Sequence, residues 1–302
     1  METFDSPHVL TLRDGRQLEV RVSGPTEGLP FIFHHGTPGA ATASRQLEDA
    51  IHARGMRFVT FSRPGYGQSS RHPGRRVVDV AADTAHVMEW LAATHCVVAG
   101  MSGGGPHALA CGARLAGVRA VLVISGVAPY GVEGLDWFEG MGSDNVDEFG
   151  AALRGEATLR DYLTPYEEVL RDMEAGQIVA SMASLLPEVD RAVLTDEYGD
   201  NVAASFRHAV AHGIDGWLDD DLAFAQPWGF ALDEITTATF IWQGDADLMV
   251  PFAHGQWLAR QLPHARAHLE PGEGHLSIEV RRLDEMLDEV VAALATTEPP
   301  LI

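Results

Sequence analysis

Short apolar runs alternate with segments of helical spacing along both ends of this chain. The runs occupy residues 31–34, 57–61, 96–99, 120–124, 239–242 and 267–269. Segments with the helical period are predicted at residues 41–53, 77–93, 106–115, 252–261 and 276–294. Strands that alternate with helices form a parallel sheet covered on both faces, because each connection must cross back over the sheet. The chain is therefore predicted to have an α/β fold.

A hairpin is predicted before the first of these runs. Residues 9–12 and 17–22 have the alternating pattern of strands, and they flank Asp14 and Gly15. An Asp-Gly pair suits a tight turn because both residues tolerate a positive φ angle. We therefore expect an antiparallel pair of strands at the start of the sheet.

The alternation stops near Val127 and resumes only near residue 239. Residues 132–222 show no convincing strand pattern, and they carry 21 Asp and Glu against 5 Arg. The predicted organisation is an α/β core, residues 1–127 and 231–302, interrupted by a helical insertion, residues 128–230. The simplest interpretation of the charge is a solvated acidic surface.

Composition excludes several classes of function. All 21 cationic side chains are Arg, so the chain has no lysine for a Schiff base or a phosphate-binding loop. The net charge of −22 disfavours nucleic acid and anionic membranes as partners. No apolar run approaches the roughly 18–20 residues of a membrane span. The acidic start of the sequence lacks the apolar segment of a secretory signal, so we expect a cytoplasmic protein. In such a reducing compartment, Cys96 and Cys111 are expected to be buried free thiols.

The strongest motif is Gly100-Met101-Ser102-Gly103-Gly104, between a predicted strand and a predicted helix. This is the context of a G-x-S-x-G nucleophile elbow, in which a tight turn presents the serine above the sheet. Glycines at 100 and 104 are expected because side chains there would clash. The start of the following helix offers free N–H groups to a developing oxyanion. Ser102 is therefore the candidate nucleophile.

A second motif, residues 35–39 (HGTPG), follows the strand at 31–34. An oxyanion hole needs two N–H groups, one from the residue after the nucleophile and one from an earlier loop. We expect Gly103 and Thr37 to supply them. His35 is expected to brace this loop through hydrogen bonds, with Gly36 allowing the turn.

The acid and the base are predicted in two later loops. Residues 244–251 (GDADLMVP) directly follow a strand, and either Asp247 or Asp245 could orient a catalytic histidine. We favour Asp247. His275 lies in a glycine-rich loop after the last strand, which distinguishes it from the other 13 histidines. His254 falls within a predicted helix, and His268 within a strand.

These four motifs, in this order, resemble the α/β-hydrolase superfamily over residues 8–127 and 231–295. The resemblance implies a mostly parallel eight-stranded sheet flanked by helices, with a helical lid inserted after the sixth strand. In that family the acid often lies three residues after a Gly and four before a Pro, which matches Asp247. Ser62 departs from the pattern, because an Asp is common there. Relatives with an Asp nucleophile, such as epoxide hydrolases and haloalkane dehalogenases, are disfavoured by Ser102.

The favoured hypothesis is a serine hydrolase that cleaves a carboxylic ester through a Ser102-His275-Asp247 triad. Three alternatives use the same residues: a proline iminopeptidase-like aminopeptidase, a cofactor-free perhydrolase and a carbon–carbon bond hydrolase. A ligand-binding protein on this fold is a further alternative. We expect no cofactor and no metal, and a small-molecule substrate with an apolar acyl group. The oligomeric state stays open.

Large apolar side chains in the insertion admit two interpretations. They could form the insertion's own core, or some could line a pocket for the acyl group. The candidates are Trp137, Phe138, Met141, Phe149, Tyr162, Met173, Met182, Leu185, Leu186, Phe206 and Trp217.

Overall fold

Eight strands form a single sheet in the computed structural model, which describes residues 7–42, 44–262 and 264–297. The strands are β1 (His8–Thr11), β2 (Gln17–Ser23), β3 (Pro30–His34), β4 (Arg57–Phe61), β5 (Cys96–Met101), β6 (Val118–Ile124), β7 (Ala238–Gly244) and β8 (Ala265–Glu270). Their order is β1-β2-β4-β3-β5-β6-β7-β8. The first two strands are antiparallel, as the Asp14-Gly15 turn predicts, and β3 to β8 are parallel.

Helices cover both faces of this sheet. They are α1 (Arg45–Ala53), α2 (Val80–Trp90), α3 (Gly104–Arg114), α10 (Phe252–Gln261) and α11 (Ser277–Thr297). Neighbouring strand residues pack on opposite faces: Phe31 joins α1 and α11 in one apolar cluster, and Ile32 joins α2, α3 and α10 in the other. This two-residue alternation is the physical basis of the predicted α/β fold, which the structure confirms.

Element boundaries shift by a few residues from those predicted. The first helix was expected from residue 41 but begins at Arg45, because the Ser44 side chain accepts a hydrogen bond from the Leu47 amide and caps the helix there.

Cys96 and Cys111 are buried free thiols, as predicted. Within the described part of the chain, none of the helices combines the length and the apolar character that a membrane span requires.

The insertion is helical between β6 and β7. Its helices are α4 (Ser143–Leu153), α5 (Glu156–Arg171), α6 (Ala175–Ser181), α7 (Glu188–Arg191), α8 (Asp196–Ala209) and α9 (Asp215–Phe224). Leu163 and Trp217 of the insertion belong to the same apolar cluster as Phe31 and Met101 of the sheet. The boundaries at 128 and 230 stay a prediction, since this packing is continuous across them.

The acidic charge of the insertion is not only a solvated surface, contrary to the simplest interpretation of the sequence. Asp190, Asp219, Asp220 and Asp221 are buried. Asp219 pairs with Arg71 of the core at 2.8 Å. The sequence could not show which cation Asp219 meets, because Arg71 lies 148 residues away along the chain.

Asp220 is the centre of a buried ion cluster that joins the insertion to the core. Its two oxygens lie 2.6 Å from Arg63 and 2.6 Å from Arg75, and Tyr66 donates a hydrogen bond at 2.9 Å. Neither Asp220 nor Arg63 is accessible to solvent. Burial by itself would raise the pKa of Asp220, but the two guanidinium groups hold it well below its usual range. The carboxylate therefore stays ionised and neutralises part of the buried cationic charge.

We expect Asp220→Asn to lower the free energy of unfolding by about 3–5 kcal/mol, because it leaves two buried guanidinium groups without their counter-charge. Equilibrium urea denaturation followed by tryptophan fluorescence measures the change. The matched control is Asp215→Asn on the same helix, whose carboxylate is 41% exposed and should contribute less than about 1 kcal/mol. Equal effects of the two substitutions would contradict the assignment.

Candidate active site

The turn between β5 and α3 places Ser102 above the edge of the sheet. Ser102 has a φ of +54°, a strained conformation for a residue with a side chain. A Cβ atom at residue 100 would lie 2.1 Å from the Gly104 carbonyl oxygen, and one at residue 104 would lie 2.0 Å from the His34 carbonyl oxygen. Only glycine fits these positions. The geometry is that of the elbow predicted from the sequence.

Thr37 and Gly103 lie together beside Ser102. A Cβ atom on Gly103 would be 2.4 Å from the Thr37 hydroxyl oxygen, so the two loops abut. In residues 7–42, 44–262 and 264–297, neither the Thr37 nor the Gly103 amide N–H has a hydrogen-bond acceptor. Both residues and Ser102 line one cavity. Two unpaired N–H groups next to a serine can receive a developing negative charge.

His35 and Arg63 hold the Thr37 loop in place. The His35 ring contacts the Gly36 carbonyl oxygen through Nδ1 at 2.7 Å, and its Nε2 accepts a hydrogen bond from the Arg63 amide at 3.1 Å. These contacts assign the proton to Nδ1. The Arg63 guanidinium donates to the carbonyl oxygens of His35 and Gly36 and to the Thr37 hydroxyl. Gly36 approaches Ser102 closely, since a Cβ atom on it would lie 3.6 Å from that of Ser102.

Ser62 occupies a position where the family often has an Asp, and it binds a carboxylate from another strand instead. Its hydroxyl donates to Glu19 of β2 at 2.7 Å and accepts from the Ala41 amide at 2.9 Å. Glu19 also contacts His208 of the insertion at 2.9 Å. A serine with a distant glutamate therefore braces this loop.

The structure separates the two candidate acids after β7. Asp247 is buried and lies 2.8 Å from Nδ1 of His275. Its other contacts are the Gln243 amide and the backbone N–H groups of Met249 and Val250, each at 2.9 Å. Asp245 is exposed, and among the described residues it accepts a hydrogen bond from the Gly272 amide alone, at 2.7 Å. The contact with His275 belongs to Asp247, as the motif spacing implies.

His275 is held by carboxylates on both sides of its loop. Asp190 of the insertion accepts the backbone N–H groups of His275, Leu276 and Ser277 at 2.8–2.9 Å. Burial lowers the pKa of His275, but Asp247, Asp190 and Glu279 together raise it more, so the pKa lies above its ordinary value. The insertion therefore positions this imidazole and favours its protonated form.

Ser102 and His275 line the same cavity, but they are not hydrogen-bonded to each other in the described residues. Hydrogen bonds between a nucleophile and its base are often absent before substrate binds. The structure thus brings Asp247 and His275 into contact, and Ser102 and Thr37 line the same cavity as His275. Gly103 lines the neighbouring cavity, which Ser102 and Thr37 also line.

Two cavities meet at Ser102. The larger, of about 230 Å³, extends under the insertion, and the smaller, of about 160 Å³, includes His275. Eight of the eleven large apolar residues predicted as core or pocket line the larger cavity: Met141, Phe149, Tyr162, Met173, Met182, Leu185, Phe206 and Trp217. Trp137, Phe138 and Leu186 pack elsewhere. Most of this set therefore forms a pocket wall as well as a core.

Sequence reasoning did not identify Asp190, Asp220 or Arg75. One signal was present for Asp220, because three consecutive Asp at 219–221 lie among Trp217, Leu218 and Leu222, which indicates a buried helix. Asp190 has no such signal, since it occurs in an ordinary acidic stretch.

We expect Asp190→Asn to lower the pKa of His275, because it removes a negative charge that stabilises the imidazolium. Titration of the imidazole signals by NMR measures this pKa. Glu188→Gln is the control, since Glu188 lies on the same short helix but is exposed. An unchanged His275 pKa in the Asp190 variant would show that the carboxylate has no electrostatic influence there.

Comparison with known proteins places the chain among hydrolases. Residues 31–293 match the Alpha/beta hydrolase family. A non-heme haloperoxidase of Rhodococcus erythropolis is 26% identical over 272 residues, 88% of this chain and 92% of that protein. A non-heme chloroperoxidase of Streptomyces lividans is 31% identical over 147 residues, which cover 48% of this chain and about half, 53%, of that protein. A thermophilic esterase from Thermogutta terrifontis, solved with malate bound, has a TM-score of 0.67 at 19% identity, covering 96% of this chain and 99% of that one. The chain belongs to the Alpha/beta hydrolase family.

Proposed function

We propose that the protein is a serine hydrolase that cleaves carboxylic esters through an acyl-enzyme on Ser102. The observation that carries the proposal is the convergence of three loops on one cavity wall. One loop presents Ser102 in a strained elbow, the second supplies the unpaired Thr37 amide beside Gly103, and the third holds His275 against Asp247. A nucleophile, a base with its orienting acid and two oxyanion donors are the parts that acyl transfer needs.

In the proposed first step, the Ser102 hydroxyl turns toward Nε2 of His275 and attacks the ester carbonyl carbon. The proton passes to His275, and Asp247 stabilises the imidazolium through Nδ1. The carbonyl oxygen becomes an oxyanion that accepts hydrogen bonds from the amides of Thr37 and Gly103. His275 then gives the proton to the departing alcohol oxygen, and water attacks the acyl-enzyme in a second round of the same steps.

The two cavities suggest which part of the substrate lies where. His275 lines the smaller cavity, and it must reach the departing alcohol oxygen, so the alcohol occupies that side. The acyl group then extends into the larger cavity, whose walls are mostly apolar.

Perhydrolysis is a second candidate, favoured by the two haloperoxidase relatives. Here hydrogen peroxide replaces water in the second step and attacks the acyl carbon of the acyl-enzyme. The products are a peracid and free Ser102, with the peroxide proton returned through His275. The same residues serve both reactions, so the difference lies in which nucleophile enters the cavity.

Replacing Ser102 by Ala should lower kcat for a short p-nitrophenyl ester by roughly 10⁴–10⁶-fold, and Asp247→Asn by about 10⁴-fold, because the wrong imidazole tautomer faces the serine. Asp245→Asn is the matched control in the same loop and should retain activity. A fluorophosphonate probe should label the wild-type protein at Ser102 and leave Ser102→Ala unlabelled. Folded wild-type protein that resists the probe would instead favour a ligand-binding role.

A comparison of acyl acceptors separates the two reactions. With acetate, bromide and hydrogen peroxide, a perhydrolase generates peracetic acid, which oxidises bromide and brominates an indicator dye. We expect ester hydrolysis to exceed this bromination, because the cavity is lined mainly by apolar groups. Proline naphthylamide, assayed alongside, tests the aminopeptidase alternative. Preferred turnover of peroxide or of the amide would overturn the esterase assignment.

A further inference from the structure

Two carboxyl groups of the insertion face each other at the wall of the larger cavity. Asp221 of α9 is inaccessible to solvent, and neither of its oxygens accepts a hydrogen bond from an N–H group or a hydroxyl in the described part of the chain. Its neighbour is the carboxyl group of Glu148 on α4. Both residues line the cavity that contains Ser102. A buried carboxylate without a donor is destabilising, so its retention needs an explanation.

The three consecutive aspartates in the middle of α9 have different partners. Asp219 pairs with Arg71 and Asp220 with Arg63 and Arg75, so both are neutralised by the core. Asp221 has no such cation within residues 7–42, 44–262 and 264–297. The chain offers no lysine that could reach it. The missing counter-charge must therefore come from outside the chain or from a shared proton.

The surroundings favour one shared proton near neutral pH. Burial raises the pKa of Glu148 to about 7, and burial together with Glu148 raises that of Asp221 well above its usual range. The other charged groups that act on the pair are Asp144, Asp220 and Arg75. Asp144 and Asp220 add negative charge near the pair. The cavity walls are mostly apolar and screen this charge little, so the site attracts cations.

Aromatic rings surround this acid pair on the cavity side. Tyr162, Tyr166 and Trp217 line the same cavity, with ring centroids 5.4 Å apart for the two tyrosines and 6.3 Å apart for Tyr166 and Trp217. The Trp217 indole N–H donates to Glu148 at 2.7 Å and fixes that carboxyl group. Aromatic faces attract organic cations, and desolvation strengthens the attraction. Tyr166 is 36% exposed, which places it at the mouth of the cavity.

We propose that Glu148 and Asp221, with the aromatic rings of Tyr162, Tyr166 and Trp217, form a subsite for a protonated amine carried by the acyl part of the substrate. The inference rests on the proposed esterase function, because it assigns the acyl group to this cavity. An ammonium group takes the place of the proton shared with Glu148 and donates hydrogen bonds to the Asp221 oxygens, which have no other donor in the described part of the chain. A metal ion fits less well, since the described residues contain no cluster of three His, Cys, Asp or Glu side chains arranged to hold one.

Matched pairs of esters test the subsite. p-Nitrophenyl 6-aminohexanoate and p-nitrophenyl heptanoate differ only in an ammonium group against a methyl group at the chain end, as do the 8-aminooctanoate and nonanoate esters. We expect kcat/KM to be about tenfold or more higher for the amino ester in at least one pair. Asp221→Asn and Glu148→Gln should abolish this preference by lowering kcat/KM for the amino ester far more than for its alkyl partner. Asp215→Asn, which removes the same charge from the exposed start of α9, should preserve the preference.

A binding measurement separates this inference from the proposed function. The Ser102→Ala protein is titrated calorimetrically with hexylammonium and with 1-hexanol at pH 6 and pH 8. We expect the cation to bind at least tenfold more tightly than the alcohol, more tightly at pH 8 than at pH 6, and with release of a proton to the buffer at pH 6. This follows because cation binding favours the ionised acid pair.

The outcomes are distinct. Cation binding that requires Asp221, in a protein that hydrolyses no ester, would support the subsite and refute the esterase assignment. Ester hydrolysis without any preference for the ammonium partner, and without cation binding to Ser102→Ala, would refute the subsite. In that case the two carboxyl groups serve only as a proton-sharing structural pair, and Asp221→Asn should change stability and nothing else.

Discussion

The buried cluster of Asp220 with Arg63 and Arg75 is the interaction on which the rest of the site depends. Asp220 belongs to the insertion, and the two arginines belong to the core. The same carboxylate accepts a hydrogen bond from the Thr37 hydroxyl at 2.8 Å, and Arg63 donates to the backbone before it. The direction in which the Thr37 amide points is therefore fixed by charges drawn from two separate parts of the chain.

The insertion is thus a structural part of the site and not only a cover above it. Asp220 fixes the loop of Thr37, and Asp190 fixes the loop of His275 through three backbone N–H groups. Both carboxylates are inaccessible to solvent. A rigid-body opening of the insertion would expose these carboxylates and release both loops at once. Access to the larger cavity is therefore expected through its mouth near Tyr166 rather than by displacement of α7 or α9.

The cations that pair with the buried carboxylates Asp219 and Asp220 are arginines, and the chain has no lysine. Arginine presents several N–H donors in a planar fork, so Arg63 can serve a carboxylate, two carbonyl oxygens and a hydroxyl together. Such a group stays charged when it is buried, which a lysine often does not. Asp221 has no such partner in the described part of the chain. Of two neighbouring carboxylates on this helix, Asp220 therefore joins the insertion to the core, and Asp221 is a candidate ligand for a cation.

The sequence by itself determined the fold class and predicted Ser102, Asp247 and His275 as site residues, because strand alternation and glycine-rich loops are local features of the chain. Parallel strands need alternating buried runs, and the elbow needs glycine where a Cβ atom would strike the backbone about 2 Å away. Such requirements leave a pattern in consecutive residues. The contacts of Asp220 with Arg63, 157 residues apart, leave none. Only the tertiary structure decided which cation each buried carboxylate of the insertion pairs with, and that Asp221 pairs with none in the described residues. These pairings depend on how helices that are distant along the chain pack against the sheet.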